Sequence, residues 1–178
     1  MPAYRARVLV LRKTKLGETD VIVTLLAEDG RQVRAVAKGM RKPGSRFGGR
    51  LEPGSVVDVL LHTGRTLDVV TEATTVDAHA EVRADLDRQA AAAVVGDLLE
   101  KVSLQGQGEE RLFGLGVATL DAIGSAEPRD LTALVTAFVA KALAMQGLRP
   151  ELEECAFCAG EVGSSASFSV QAGGALCP

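Results

Sequence analysis

Between residues 20 and 38 the chain reads DVIVTLLAEDGRQVRAVAK, and few folds accept that pattern. DVIVTLLA is dense in β-branched residues, which suit a pleated, half-buried surface. EDG at 28–30 supplies the Asp-Gly step of a tight hairpin, where positive φ is required. RQVRAVAK then alternates, with Val33, Ala35 and Ala37 on one face and Arg34, Val36 and Lys38 on the other. Three further runs have strand character: ARVLVL at 6–11, SVVDVLLH at 55–62 and TLDVVTEA at 66–73, the last two parted by a TGR turn. Five strands in about seventy residues is the spacing of a small barrel. A five-stranded, partly open OB barrel is the expected architecture, and an SH3-like barrel is the alternative that strand count leaves open.

Beyond residue 80 the hydrophobic period becomes helical. A long helix is expected over 82–103, where Leu98, Leu99 and Val102 return at helical spacing. QGQG at 105–108 should break it. A second helix is expected over 109–123, opening on Glu109 and Glu110, whose charge suits a helix N-terminus. A third should begin near Pro128, a favoured first-turn residue, and end at Gly147. The fold class is therefore α+β: a barrel domain at 1–80, then a helical bundle at 81–178 that carries a cysteine segment at 151–178.

The charge follows the same division. Residues 1–80 hold 13 Lys/Arg and 9 Asp/Glu, whereas residues 81–178 hold 7 and 14. Residues 31–50 concentrate Arg31, Arg34, Lys38, Arg41, Lys42, Arg46 and Arg50 without one carboxylate. Such a stretch makes a positive potential that attracts polyanions, and its glycines let backbone amides approach phosphates. Its bland reading is a solvated loop that keeps the chain soluble. Only Tyr4 and Phe47 are aromatic in the first 80 residues, so stacking on bases is scarce and any nucleic-acid binding should be mainly electrostatic. The apolar run at 90–95 is far too short to span a bilayer, and that at 8–11 too short for a signal-peptide core, so a cytoplasmic location and no membrane partner are expected.

All three cysteines lie near the end, as Cys155-x-x-Cys158 and Cys177-Pro178. The spacing resembles a four-cysteine zinc ribbon one ligand short, since a C-P-x-C knuckle would place its last cysteine two residues past Pro178. Zinc is the possible cofactor, held weakly by three thiolates with water or a borrowed His62 or His79. A redox C-x-x-C would belong between a strand and a helix of an α/β domain, which this chain lacks. No phosphate-binding G-x-x-x-x-G-K-[ST] loop and no G-x-S-x-G elbow occurs, and GLGVAT at 114–119 lies inside a helical pattern, where it reads as helix packing. Asp85, Asp87, Glu109 and Glu110 read as solvated helix charges, and no catalytic constellation or small-molecule substrate is expected.

Gly17-Glu18-x-Asp20, the turn glycine Gly30, Ala37-Lys38-Gly39 followed by Arg41-Lys42, and Leu51-x-Pro53 stand in an order that closely resembles the N-terminal region of bacterial RecO proteins. Downstream, the C-x-x-C, Phe168-Ser169, Gly173-Gly174 and Leu176-Cys177 continue the resemblance over essentially the whole chain. The resemblance implies a recombination mediator of DNA repair with an OB barrel, a helical domain and a zinc ribbon. It implies binding of single- and double-stranded DNA, strand annealing, engagement of the C-terminal tail of the single-stranded DNA-binding protein, and RecA loading with RecR. It also implies a nucleoid-associated protein whose chain, relative to the family, stops short of the last zinc ligand and a further helical stretch. Candidate DNA contacts are Arg34, Lys38, Arg41, Lys42, Arg46 and Arg50, and candidate metal ligands are Cys155, Cys158 and Cys177. Two rival readings are a non-catalytic protein-interaction adaptor and an RNA-binding OB protein with a zinc ribbon.

Overall fold

The computed structural model describes residues 2–103 and 108–178. The chain divides into two compact units, Met1–Val139 and Ala140–Pro178. In the first, β1 (Ala3–Leu16), β2 (Asp20–Ala27), β3 (Gln32–Ala37), β4 (Val56–His62) and β5 (Asp68–Asp77) form a closed barrel in the order β1-β2-β3-β5-β4. Every pairing is antiparallel except β3 with β5. That order, with its one parallel seam, is the OB arrangement and removes the SH3-like alternative.

β1 closes the barrel because it serves two neighbours. Its first half pairs with β4, from Ala3↔His62 to Leu9↔Val56, and its second with β2, from Val8↔Ala27 to Leu16↔Asp20. A register shift between Val10 and Arg12 leaves Leu11 as the extra residue that bends the strand. Val8 and Val10 point into the barrel core with Val23, Leu25, Val59 and Leu61. Leu9 lies on the opposite face and is also buried. A Cβ built on Gly116 would stand 2.7 Å from Leu99 Cδ1 and 3.1 Å from Leu9 Cδ2, so helices cover this outer face. The apolar run at 8–11 is thus a strand buried on both faces.

The expected helix over 82–103 is two helices, α1 (Ala80–Arg83) and α2 (Leu86–Val102). Asp85 divides them: its backbone is extended and its carboxylate accepts from Arg88 N at 2.9 Å, so it is an N-cap rather than a solvated helix charge. The far end of α2 is capped by the barrel, where Gln32 Nε2 donates to Glu100 O at 2.7 Å and Ser103 O at 3.1 Å. The expected QGQG break lies, save for Gly108, outside the described residues. α3 (Glu110–Ser125) packs on α2 and holds the GLGVAT segment as helix. A 3-10 turn at Pro128–Asp130 leads into α4 (Leu131–Met145), whose buried Leu131, Phe138 and Ala142 lie along one stripe.

Gly30 turns the β2–β3 hairpin at φ +80°, and a Cβ there would overlap the backbone of Glu109. Gly17 has φ +59° but open space around it. Gly30→Ala therefore combines backbone strain with a backbone clash, and Gly17→Ala carries strain alone. Thermal unfolding should show Gly30→Ala destabilised by more than about 1 kcal/mol and Gly17→Ala by less. Equal losses at the two sites would mean that Glu109 does not press on the hairpin.

The second unit is loop-rich. β6 (Ser167–Ser169) and β7 (Gly174–Leu176) form a short antiparallel pair, extended by Glu151, which exchanges backbone hydrogen bonds with Gly173 and Ala175.

Candidate nucleic-acid interface and thiol centre

The connection between β3 and β4 is a built element. Lys42 N, Ser45 N and Gly48 N donate to Gly39 O, Lys42 O and Ser45 O at 3.0–3.1 Å, so each turn starts where the last one ends. Phe47 and Leu51 then turn inward and join the barrel core, with Met40 packed against it. Both ends are tied to β1 and β2. Gly54 N donates to Val10 O at 2.8 Å and Lys13 Nζ reaches Glu52 Oε2 at 2.5 Å. At the start, Asp20 Oδ1 accepts from Gly39 N at 2.8 Å and Arg41 Nη1 donates to Glu18 O at 2.9 Å.

With the apolar residues inside, the cations are left outside. Arg34 lies on the solvent side of β3, Lys38 is exposed just past its end, and Arg41, Lys42, Arg46 and Arg50 are exposed along the turns. Among the described residues none of these six lies within ion-pair distance of a carboxylate, whereas Arg31, the seventh cation of this stretch, pairs with Asp29 at 2.7 Å. Arg5, Arg7, Arg12, Lys13, Lys101, Arg111 and Arg149 are likewise paired. Phe47 is only 1% exposed, which withdraws it from base stacking, and Arg46 lies over its ring at 4.9 Å. Tyr4, the other aromatic, is half-buried and donates to Asp68 Oδ2 at 2.5 Å; burial, with Asp68 beside it, raises its pKa.

The Gly39 amide, then the Thr19 hydroxyl, hold the Asp20 carboxyl below the usual range. A depressed carboxylate pKa favours the native state above the unfolded value, near about pH 4, and that contribution is lost as pH falls through the folded value. The amide resonance of Gly39 should therefore titrate with a midpoint below about 3.9, and Asp20→Asn should abolish the transition. A midpoint at or above the free-aspartate value would contradict the anchor.

In the second unit the three cysteines converge. Their Sγ atoms lie within 4.8 Å of one another, and Cys158 Sγ is 3.7 Å from Cys177 Sγ. Two thiolates on one tetrahedral zinc, each about 2.3 Å from it, stand roughly 3.7 Å apart, so the spacing fits a metal ion. Cys155 N donates to Gly160 O and Ala159 N to Cys155 O, both at 2.8 Å, which folds the C-x-x-C into a knuckle. The left-handed residue of that knuckle is Ala159, at φ 56°, rather than a glycine. N–H groups of Cys177, Cys158 and Phe157 facing the Cys155 thiolate lower its pKa to about 6, and hydrogen bonds that the Cys177 thiol donates to Cys155 and Cys158 push Cys177 up to about 11. The three side chains could hold a metal ion. His79 belongs to the first unit, where its Nδ1 stands 2.7 Å from Gly54 O and its Nε2 faces Asp121 Oδ1 at 3.1 Å. His62 ends β4, and among the described residues the thiol cluster consists of the three cysteines.

Sequence reading missed three features: the anchoring role of Phe47, the Asp20–Gly39 contact, and the convergence of Asp77, His79 and Asp121. The first had a signal, a lone aromatic in a Gly/Arg-rich stretch. The third had none, because Asp121 lies 42 residues from His79.

Together these features define an OB-fold protein with a helical extension, an unneutralised cationic crossover loop and a thiol cluster. Residues 1–79 match the family described as Recombination protein O N terminal, and residues 83–178 match Recombination protein O C terminal. The chain is also similar to the DNA repair protein RecO of Frankia casuarinae, at 44% identity over 180 residues, covering 100% of this chain and 73% of that protein. The chain belongs to the RecO family, and its role lies in DNA repair and recombination. No helix among the described residues is long and apolar enough to cross a membrane.

Proposed function

We propose that this protein is a non-catalytic recombination mediator that binds single- and double-stranded DNA and anneals complementary strands. Arg34, Lys38, Arg41, Lys42, Arg46 and Arg50 make the contacts. The supporting observation is the crossover loop, which fixes its apolar residues in the barrel and leaves those cations without carboxylate partners. Six such charges neutralise phosphates of two backbones at once and lower their repulsion as strands meet. With both aromatics of the barrel half engaged elsewhere, the recognition is of backbone rather than base.

The family relationship supports the remaining parts of the reading. The barrel at 1–80 is the DNA-binding module, and the region 81–178 engages protein partners: RecR, and the tail of the single-stranded DNA-binding protein during RecA loading. The protein works in the cytoplasm, at the nucleoid. Zinc sits on Cys155, Cys158 and Cys177 as a structural cross-link, with its fourth position taken by a ligand outside these three.

Binding to single-stranded DNA tests the core of the proposal. If about five phosphates are neutralised, the log–log salt dependence should have a slope near −3.5, and annealing of complementary strands should slow along the same curve. A slope near zero, or partner capture without any DNA shift, would favour the adaptor reading.

A further inference from the structure

We propose that Asp77, His79 and Asp121 form a second metal site, for zinc or another divalent transition ion of the same borderline class. It has a nitrogen and oxygen donor set of its own and uses none of the cysteines. The site lies where the barrel passes into the helices. Asp77 ends β5, His79 precedes α1 and Asp121 comes from α3. One donor atom of each residue lies within 4.8 Å of those of the other two.

The hydrogen bonding of His79 carries the inference. Its side chain is 95% buried, since only 5% is exposed. Nδ1 stands 2.7 Å from the Gly54 carbonyl, which can only accept, so Nδ1 carries a hydrogen. In the neutral ring Nε2 is then a lone pair, and it stands 3.1 Å from Asp121 Oδ1, another acceptor. Asp121 is 58% exposed, and a buried ring nitrogen and a carboxylate oxygen at that distance share a cation, which is either a metal ion or a proton. Ligands about 2.0–2.2 Å from a tetrahedral zinc stand roughly 3.3 Å apart, close to the distance found. A ring nitrogen donating to a backbone carbonyl while the other faces a metal is also the usual outer-shell arrangement of a ligating histidine. Among the described residues no lysine or arginine lies within ion-pair distance of Asp77 or Asp121, so two exposed carboxylates converge on the ring with their charge uncompensated. Asp77 is held in place because its Oδ1 accepts from His79 N at 2.7 Å. Imidazole nitrogen with carboxylate oxygen suits zinc and its neighbours better than calcium or magnesium, which prefer all-oxygen sets. The bound ion would join the end of the barrel to α3.

The alternative occupant is a proton on Nε2, which would make an imidazolium–carboxylate pair. Zinc titration of the full chain carrying Cys155→Ser, Cys158→Ser and Cys177→Ser separates the two. One zinc per chain is expected, with a rise in melting temperature. Adding Asp121→Asn should weaken that affinity more than about tenfold and remove the rise, while the amide still donates to Nε2 and keeps the metal-free fold. In the chain with its cysteines intact, Asp121→Asn or Asp77→Asn should lower the zinc count by one. The proposal is overturned if the serine chain folds and binds no zinc. It is also overturned if Asp121→Asn leaves the count unchanged, or if the Nε2 proton persists by NMR in excess zinc.

Discussion

Replacing Phe47 by alanine is expected to lower the unfolding free energy by about 3–5 kcal/mol, the largest loss expected from any single change in the crossover loop. The ring is 1% exposed and lies in one core with Val8, Val10, Leu25, Leu51, Val59 and Leu61. Its removal forfeits the transfer free energy of a phenyl group and leaves a cavity that a closed barrel cannot collapse to fill. The cation–π contact from Arg46 adds little, because that guanidinium is exposed. Urea unfolding followed by far-UV circular dichroism gives the loss, and Phe47→Leu should recover more than half of it. A loss under about 1 kcal/mol would show that the loop is not the plug of the barrel. DNA affinity should fall with stability in this variant, since the neighbouring cations take their positions from the buried ring.

The second large effect is on binding. The double variant Arg41→Glu with Lys42→Glu should weaken single-stranded DNA binding about ten- to a hundredfold and slow annealing, with the melting temperature preserved. Two lost phosphate contacts should move the salt slope toward zero by about 1.4. Neither side chain pairs with a carboxylate among the described residues, so no buried partner is orphaned by the change. Arg41 does donate to Glu18 O, so Lys42→Glu alone serves as the control that leaves this tether intact. Unchanged annealing in the double variant would remove these residues from the interface.

How much of this was legible in sequence depended on how local the cause is. β2, the Asp-Gly turn and β3 could be read directly, because alternation and turn chemistry act over a few residues. The six candidate cations could be listed for the same reason. Their setting could not. Phe47 shows no periodicity among glycines and arginines, and only the closed barrel gives it a core to enter. The seam between β3 and β5 rests on the pairs Ala35↔Asp68 and Val36↔Val69, more than thirty residues apart, which no local pattern encodes. The split at Asp85 was missed because helix propensity is continuous across it, and the cap that breaks it is one side-chain bond. The thiol cluster was readable from spacing. The junction site was not, because its donors meet only after α3 has packed.

The double duty of β1 has a consequence for how the chain acquires its fold. Its second half can zip to β2 as soon as residue 27 is made, across the short turn at Gly17. Its first half must wait for β4, whose Val56 meets Leu9 only after the whole crossover loop has been synthesised. In that interval a growing chain holds an apolar edge with no partner. Closing the ring is a long-range event, and long-range strand pairing is slow because loop-closure entropy is lost before the contacts form. The run of turns from Gly39 to Gly48 shortens the effective length of that loop. The segment that presents the cations therefore also sets how long the nascent barrel stays open, and changes there should alter folding rate and aggregation during synthesis as well as affinity for DNA.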